Sequence, residues 1–416
     1  MANDPRILIA GGGPVGMVTA LALAQRGFPV TVFEAEAQIS DAPRAATTHP
    51  ATLELLAGLG LIDEVVQQGL TARTFQFRDR PSGALIAEFD HETLRQDTRF
   101  PFVVQCEQHK LARLAMERLL ALPGAEVHFR ARVAAVDTNA SGVNLTVETA
   151  ASSSKFSGAF LVGADGGRST VRKSQGIEFE GYTWPERFIV LTTPFDFESE
   201  RGYCFRNYFS DPHEWANLFK VAGDDGKGLW RVVFPTRDDE SDDIALSDDA
   251  AQQRLQRFFP RASPYQIVHR NLYKVHQRVA ATFRKGRVFL AGDAAHVNNP
   301  IGGLGLNCGI HDGIELAERL AGFCSGQKRQ DGRGNEDDLD LLDPLDLYDR
   351  RRRPINIEFV QEQTINNKKR LEAKDPAVRE AHFEHLRATV ADSARHRQFL
   401  LRSSLIESVR KASRIQ

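Results

Sequence analysis

Residues 6–10, "RILIA", form a short apolar run that stops at three consecutive glycines. The chain then carries "MVTALALAQRG", with apolar residues at helical spacing, and a second apolar run, "VTVFE", at 30–34. That order predicts strand, glycine turn, helix, strand. Residues 51–69 have helical spacing, and 74–90 alternate apolar and polar positions around Pro81–Gly83, which predicts a hairpin. "FVVQC" (102–106) predicts a strand and 107–122 an amphipathic helix. Residues 126–149 predict antiparallel strands, and "FSGAFLVGADG" (156–166) a strand entering a turn. From Tyr182 to about His276 the pattern is mostly β, with one helix near 247–259. "RVFLAGDAAH" (287–296) repeats strand-then-turn, and 306–323 predicts a helix. Residues 325–342 are polar and predict a surface loop; the rest is helical, and "RRRR" (350–353) before Pro354 predicts a solvated helix face. The fold class is α/β (α+β), with no internal repeat.

A chain of 416 residues is long for one core and predicts more than one domain. Hydrophobic content of 42% and charged content of 26% are those of a globular protein. A net charge of −2 gives no electrostatic footprint for nucleic acid. The four cysteines (Cys106, Cys204, Cys308, Cys324) have neither CxxC nor zinc spacing, which fits a reducing compartment and no metal. The first residues lack a signal-peptide layout, and no apolar run reaches membrane-spanning length. The expectation is a cytoplasmic protein.

Two glycine-rich turns lie nearly three hundred residues apart. In Gly11-x-Gly13-x-x-Gly16, with Pro14 and Val15 between the last two glycines, the first glycine permits a tight turn. The second lets backbone approach a pyrophosphate, and the third lets helix pack on strand. Glu34, followed by Ala35, ends the next strand where an acid takes ribose hydroxyls. This motif does not separate FAD from NAD; an acid at 34 argues only against a 2′-phosphate. The second turn is "GDAAHVNNPIGGLGLN" (292–307). Between them, "VGADGGRSTVR" (162–172) also sets an Asp just after an apolar strand.

These three motifs, in this order and spacing, resemble the FAD-dependent aromatic hydroxylases, single-component flavoprotein monooxygenases of the p-hydroxybenzoate hydroxylase type. The resemblance covers nearly the whole chain. It implies that Gly11–Gly16 holds the FAD pyrophosphate and that Gly292 and Asp293 serve the ribitol. It implies that the run from Pro300 through Gly302, Gly303, Leu304 and Gly305 to Leu306 and Asn307 passes beside the isoalloxazine, where backbone N–H groups stabilise negative charge. No acid or base residue is assigned. Leu304 departs from the Gln often found there. Asp165–Gly166, with Ser169 and Arg172, matches the middle motif, which serves FAD; Asp165 also suits a purely structural role in its turn. Arg44 stands where the family has an FAD-contacting Arg. A family-like Gln is Gln108 or Gln105. "LYDRRRRP" resembles the opening of the closing helices. His296 reads as structural.

The resemblance further implies a discontinuous FAD domain (1–74, 101–180, 277–330), a β-rich substrate domain (75–100, 181–276) and a C-terminal helical segment (331–416). In the implied cycle NADH or NADPH, bound transiently, reduces FAD. O2 then yields a flavin C4a-hydroperoxide that hydroxylates a phenolic or N-heteroaromatic, carboxylated substrate. The partners implied by the resemblance are that small aromatic molecule, O2 and a second copy of the chain in a homodimer. Candidate pocket residues are Tyr203, Phe205, Arg206, Tyr208, Trp215, Phe219, Arg231 and His49. On a strand, Tyr203, Phe205 and Asn207 face one way and Arg206 and Tyr208 the other; the sequence does not say which face is inward. Arg231, among apolar residues, needs a partner: a substrate carboxylate or an internal acid. A flavin-dependent reductase or oxidase of a small hydrophobic substrate, and a non-catalytic flavoprotein, are the alternatives.

Overall fold

The structure is a computed structural model that describes residues 5–139, 141–237, 239–329 and 344–416. The apolar runs at 6–10, 160–163 and 287–290 become neighbouring parallel strands, whereas Phe156–Gly158, expected in the same strand as 160–163, closes a separate strand, Ser153–Gly158, that pairs antiparallel with Val143–Glu148. Ile7–Ala10 is buried throughout and pairs with Val30–Phe33 on one side and Phe160–Gly163 on the other. Val288–Leu290 extends the sheet beyond Phe160–Gly163, and Ala125–His128 extends it beyond Val30–Phe33. Only the edge strand Arg284–Lys285 is antiparallel in this six-stranded sheet. Continuous apolar strands suit a parallel sheet covered on both faces. Helix Pro14–Ala24, buried from Gly16 onward, packs against helices Gln108–Leu120 and Gly305–Arg329.

The register matters for function. Ala10 pairs with Gly163, and Gly163 with Leu290, so the three strands end level. Each of the three motifs begins just past that shared carboxyl edge, where open α/β sheets carry their ligands.

The predicted hairpin is present as Thr74–Asp79 and Leu85–Asp90. It joins an eight-stranded sheet dominated by two long antiparallel strands, Phe179–Thr193 and His269–Ala280. Helix Asp248–Phe258 covers one face of that sheet through Ala251 and Leu255, over Phe197, Phe209, Trp230 and Phe234.

Four further expectations need correction. Residues 51–69 form two helices, Pro50–Gly58 and Ile62–Gln68, because Gly60 adopts a left-handed φ of 71° that ends the first. Within 126–149, Ala125–His128 is parallel to Val30–Phe33; only Arg132–Thr138 and Val143–Glu148 pair antiparallel. The polar stretch from 325 continues the helix to Arg329, and residues 330–342 lie outside the described residues. The four arginines are not uniformly solvated: in helix Asp346–Asn356, Tyr348, Arg352 and Ile355 share the inward face, while Arg350 is exposed. Among the described residues, no helix is long and apolar enough to cross a membrane.

Candidate functional site

The first turn divides its glycines as the sequence suggests. Gly11 has φ 104°, and a Cβ there would sit 2.3 Å from the Ala164 carbonyl oxygen; one on Gly16 would sit 2.0 Å from that of Gly11. Both are glycine because backbone meets backbone. Gly13 has nothing within 4 Å of a Cβ position and faces open space. Helix Pro14–Ala24 begins there without a side-chain cap, so its first N–H groups remain for a ligand. The Glu34 carboxylate accepts from Gly12 N at 2.6 Å and Glu36 N at 2.9 Å, fastening the strand end to the turn, with Ala35 exposed beside it.

The middle motif braces the others. Asp165 Oδ2 accepts from Thr170 N at 2.7 Å and Val171 N at 3.1 Å, while its buried Oδ1 has no partner. Ser169 caps helix Thr170–Ser174. Arg172 donates to Ala294 O at 2.8 Å and Gly167 O at 2.9 Å, so it clips the middle motif, which includes Gly166, to the last one.

The two glycine turns touch. A Cβ on Gly309 would lie 2.6 Å from Val15 Cγ2 and 3.0 Å from Gly292 Cα, and a Cβ on Gly292 would lie 3.0 Å from Val15 Cγ2. Val15 of the first motif thus sits in the notch left by two glycines of the last.

These turns border a cavity of about 610 Å³, within the range of small-molecule and cofactor sites. It gathers Gly13, Pro14, Val15, Arg44, Gln105, Gln108, Gly166, Asp293, Pro300, Leu306 and the stretch Gly302–Gly305. Asp293 lines this cavity; burial raises its carboxyl above the ordinary range, against the pull of His296 and Arg44. The loop before helix Gly305–Arg329 turns through Gly302 (φ 108°) and Gly303 (φ 69°), and Gly303 N donates to Pro300 O at 2.9 Å. Asn307 fixes this loop: its Oδ1 accepts from His49 N at 2.8 Å, and its Nδ2 donates to Thr47 O at 2.8 Å and Gly303 O at 2.6 Å. The Leu304 side chain is buried with Ala51 and Cys308, so the departure from Gln sends that side chain into core. Gln105 accepts from Thr47 Oγ1 at 2.8 Å and leaves its Nε2 unpartnered.

The opposite wall is the eight-stranded sheet, and its register settles the face question. Arg206, Phe219 and Arg231 form one cross-strand row; Tyr208, Asn217, Val233, Val190 and Asn271 form the next. Both rows line the cavity, with Tyr273 beyond them. Arg231 is buried and donates to Arg44 O at 2.9 Å.

Four substrate candidates fall elsewhere. Tyr203 and Phe205 join the cluster on the other face with Phe209 and Trp230, because they share parity with Phe209, not with Arg206. Trp215 is buried edge-on against Phe188 at 4.8 Å. His49 lines a second, small cavity of about 30 Å³ beside Gly302, and its Nε2 lies 2.8 Å from Gly302 O. Burial, then the nearby Arg206 charge, hold this imidazole well below its ordinary pKa.

Sequence reasoning missed Asp312. It lies mid-helix in "LNCGIHDGIEL", fully buried, and anchors both the third motif and the closing helix. Its Oδ2 accepts from His296 Nε2 at 2.7 Å and Gly292 N at 3.1 Å; its Oδ1 accepts from Arg352 Nε at 2.7 Å. An acid one position before a packing glycine, Gly313, on an apolar helix face was the available signal.

Level strand ends, an open Gly13 backbone, a helix start left without a side-chain cap and unpartnered polar atoms at Asp165 and Gln105 suit a dinucleotide-type cofactor and face a wall that includes Tyr208, Phe219 and Tyr273. The comparisons agree. The FAD-binding-domain family matches residues 4–362, and the chain belongs to it. It is 36% identical over 402 residues to para-nitrophenol 4-monooxygenase of Pseudomonas sp. strain WBC-3, covering 95% of this chain and 94% of that one. It is 35% identical over 381 residues to 6-hydroxy-3-succinoylpyridine 3-monooxygenase HspB of Pseudomonas putida strain DSM 28022 / S16, covering 90% and 91%. The crystal structure of p-nitrophenol 4-monooxygenase PnpA from Pseudomonas putida DLL-E4 superposes with a TM-score of 0.86 at 33% identity, over 97% of this chain and 98% of that one. The protein is a flavin-dependent aromatic monooxygenase with FAD as its cofactor.

Proposed function

We propose that the enzyme uses NADH or NADPH and O2 to hydroxylate a phenolic or N-heteroaromatic acid. The carrying observation is the single cavity whose one side is the three FAD motifs and whose other side is the Arg206–Phe219–Arg231 and Tyr208–Asn217 rows. The named substrates of the two relatives, a nitrophenol and a hydroxypyridine acid, support the ring class.

In this reading Gly11, Gly13, Pro14, Val15 and Gly16 receive the pyrophosphate, and Glu34 and Ala35 the adenosine ribose. Arg44, Gln105, Gln108, Asp165, Gly166, Gly292 and Asp293 hold the extended remainder. The chemistry that FAD held by these residues would supply is activation of O2 at its reduced ring, with one oxygen atom going to the substrate and the other to water. The protein's own residues position and shield. The N–H groups opening helix Gly305–Arg329 have no intrahelical partner and place positive dipole at the cavity beside Leu306. Asn307 keeps Gly303 in place. Val190, Val233 and Phe219 exclude water, and Asn217, Asn271 and Tyr273 offer hydrogen bonds that orient the ring.

The test is NADH or NADPH oxidation in air by the FAD-loaded enzyme, with and without a panel of hydroxylated benzoic and pyridine acids and nitrophenols. A compound that raises the rate and gains one oxygen atom by mass supports the reading. Flavin reduction with no oxygen uptake would favour the reductase alternative. No effect of any compound would count against aromatic acids.

A further inference from the structure

The substrate wall carries a charge that the protein does not neutralise. Other well-shielded arginines have acids or carbonyls in place: Arg352 meets Asp312 at 2.7 Å, Arg80 meets Glu214 at 3.0 Å, and Arg172 has two carbonyls. Arg231 has the Arg44 carbonyl and the attraction of Glu107. Arg206 is 5% exposed and faces both the main and the small cavity. Its Nη2 donates to Tyr208 Oη at 3.2 Å, its guanidinium lies 5.2 Å from the Phe75 ring centre, and its Nη1 has no partner. Among the described residues, no carboxylate lies within 4.0 Å of it. Its neighbours His49 and His91 are buried imidazoles, neutral or cationic but never anionic, so neither compensates the charge; burial and then Arg206 itself hold both below their ordinary pKa. A buried, always-charged guanidinium without a counter-ion is unfavourable unless a ligand provides one.

Resting on the reading above, we propose that Arg206 pairs with an anionic oxygen of the aromatic substrate, a phenolate or a carboxylate, and selects for substrates that carry one. The guanidinium fork suits two-point contact with such an oxygen group, and Tyr208 Oη stands beside it. The row register puts Arg206 and Arg231 two strands apart, about 10 Å at the backbone, with Phe219 between them. That span accommodates one aromatic ring with its substituents. The anion then lies at the Gly302 end of the wall, since Arg206 and Gly302 line both cavities together.

Calorimetric titration of the FAD-loaded protein, without reductant, tests this with two pairs of probes. Benzoate against benzamide reports a carboxylate, and 4-nitrophenolate against nitrobenzene a phenolate. We expect at least one anion to bind ten-fold or more tightly than its neutral counterpart, and the pair that shows it names the source of the oxygen. Arg206→Met should abolish the preference while leaving neutral-probe affinity and flavin content unchanged, and Arg206→Lys should restore part of it. The proposal is overturned if wild-type protein prefers neither anion, if the preference survives Arg206→Met, or if it is lost in Arg231→Met. Should Arg206→Met fail to fold, the wild-type comparison and the Arg231→Met variant still decide. Because no turnover is read, a preference seen while no hydroxylated aromatic acid or nitrophenol gains oxygen would sink the substrate reading above and leave Arg206 assigned.

Discussion

Replacing Asp312 by Ala removes the acceptor on which the last motif, helix Gly305–Arg329 and helix Asp346–Asn356 converge. Four donors meet its two oxygens: Gly292 N, His296 Nε2 and Arg352 Nε as above, and Asn356 Nδ2 at 3.3 Å. Burial by itself would raise this carboxyl, but Arg352 and His296 outweigh it and hold it below the ordinary carboxylate range. Truncation leaves the buried Arg352 guanidinium with only the Cys308 carbonyl at 3.3 Å. Breaking such a pair from one side costs about 3–5 kcal/mol. Urea unfolding of the FAD-free protein, compared at fixed slope, should show that loss for Asp312→Ala. Asp312→Asn should cost about half as much, because the amide keeps one acceptor but turns a donor toward Arg352 or His296. Glu315→Ala is the comparison: its partners Arg351 at 3.0 Å and Arg319 at 3.1 Å stay 14% and 28% exposed, against 3% for Arg352, so water takes up part of the lost pairing and about 2 kcal/mol or less is expected. An Asp312→Ala variant within about 1 kcal/mol of wild type, and level with Glu315→Ala, would refute the claim that this acid holds the three segments together.

Gly309→Ala should overpack the notch around Val15 and Gly292, costing about 1–3 kcal/mol and increasing FAD loss on dialysis; unchanged flavin retention would show that the turns need not touch so closely. Asn307→Ala removes three buried hydrogen bonds from the ring loop and should weaken FAD affinity by about ten-fold, measured by fluorescence titration. His49, His91 and His311 are buried and depressed, the last two to about 3, so the unfolded chain binds protons below pH 6.5 that the folded chain refuses. Stability should therefore fall as pH drops from 6.5 toward 4, by up to about 4 kcal/mol per unit for the three together, and a slope under about 1 kcal/mol per unit near pH 5 would contradict their burial.

The glycine spacing, the apolar runs before each motif and the acids just after them lay open in the sequence, because backbone constraints at a tight turn admit few residue types. The same signals stopped at the sheet face. Nothing in "YCFRNYF" chooses between Phe205 and Arg206 as the inward neighbour, since both faces of this strand end up buried, one under helix Asp248–Phe258 and one over the cavity. Trp215 and Tyr203 read as ligand contacts for the same reason that they pack well: large rings fill whichever core they meet.

Local chemistry along the chain determined three glycine-and-acid turns; the family resemblance those turns carry, not their chemistry alone, implied FAD. Only the tertiary structure decided that the turns share one edge, through the level pairing of Ala10, Gly163 and Leu290, and that Val15 drops between Gly292 and Gly309. It alone matched Asp312 to Arg352, forty positions on, and left Arg206 without an acid. Pairing of buried charge depends on what folding brings within a few ångströms, and that distance is not written in sequence separation.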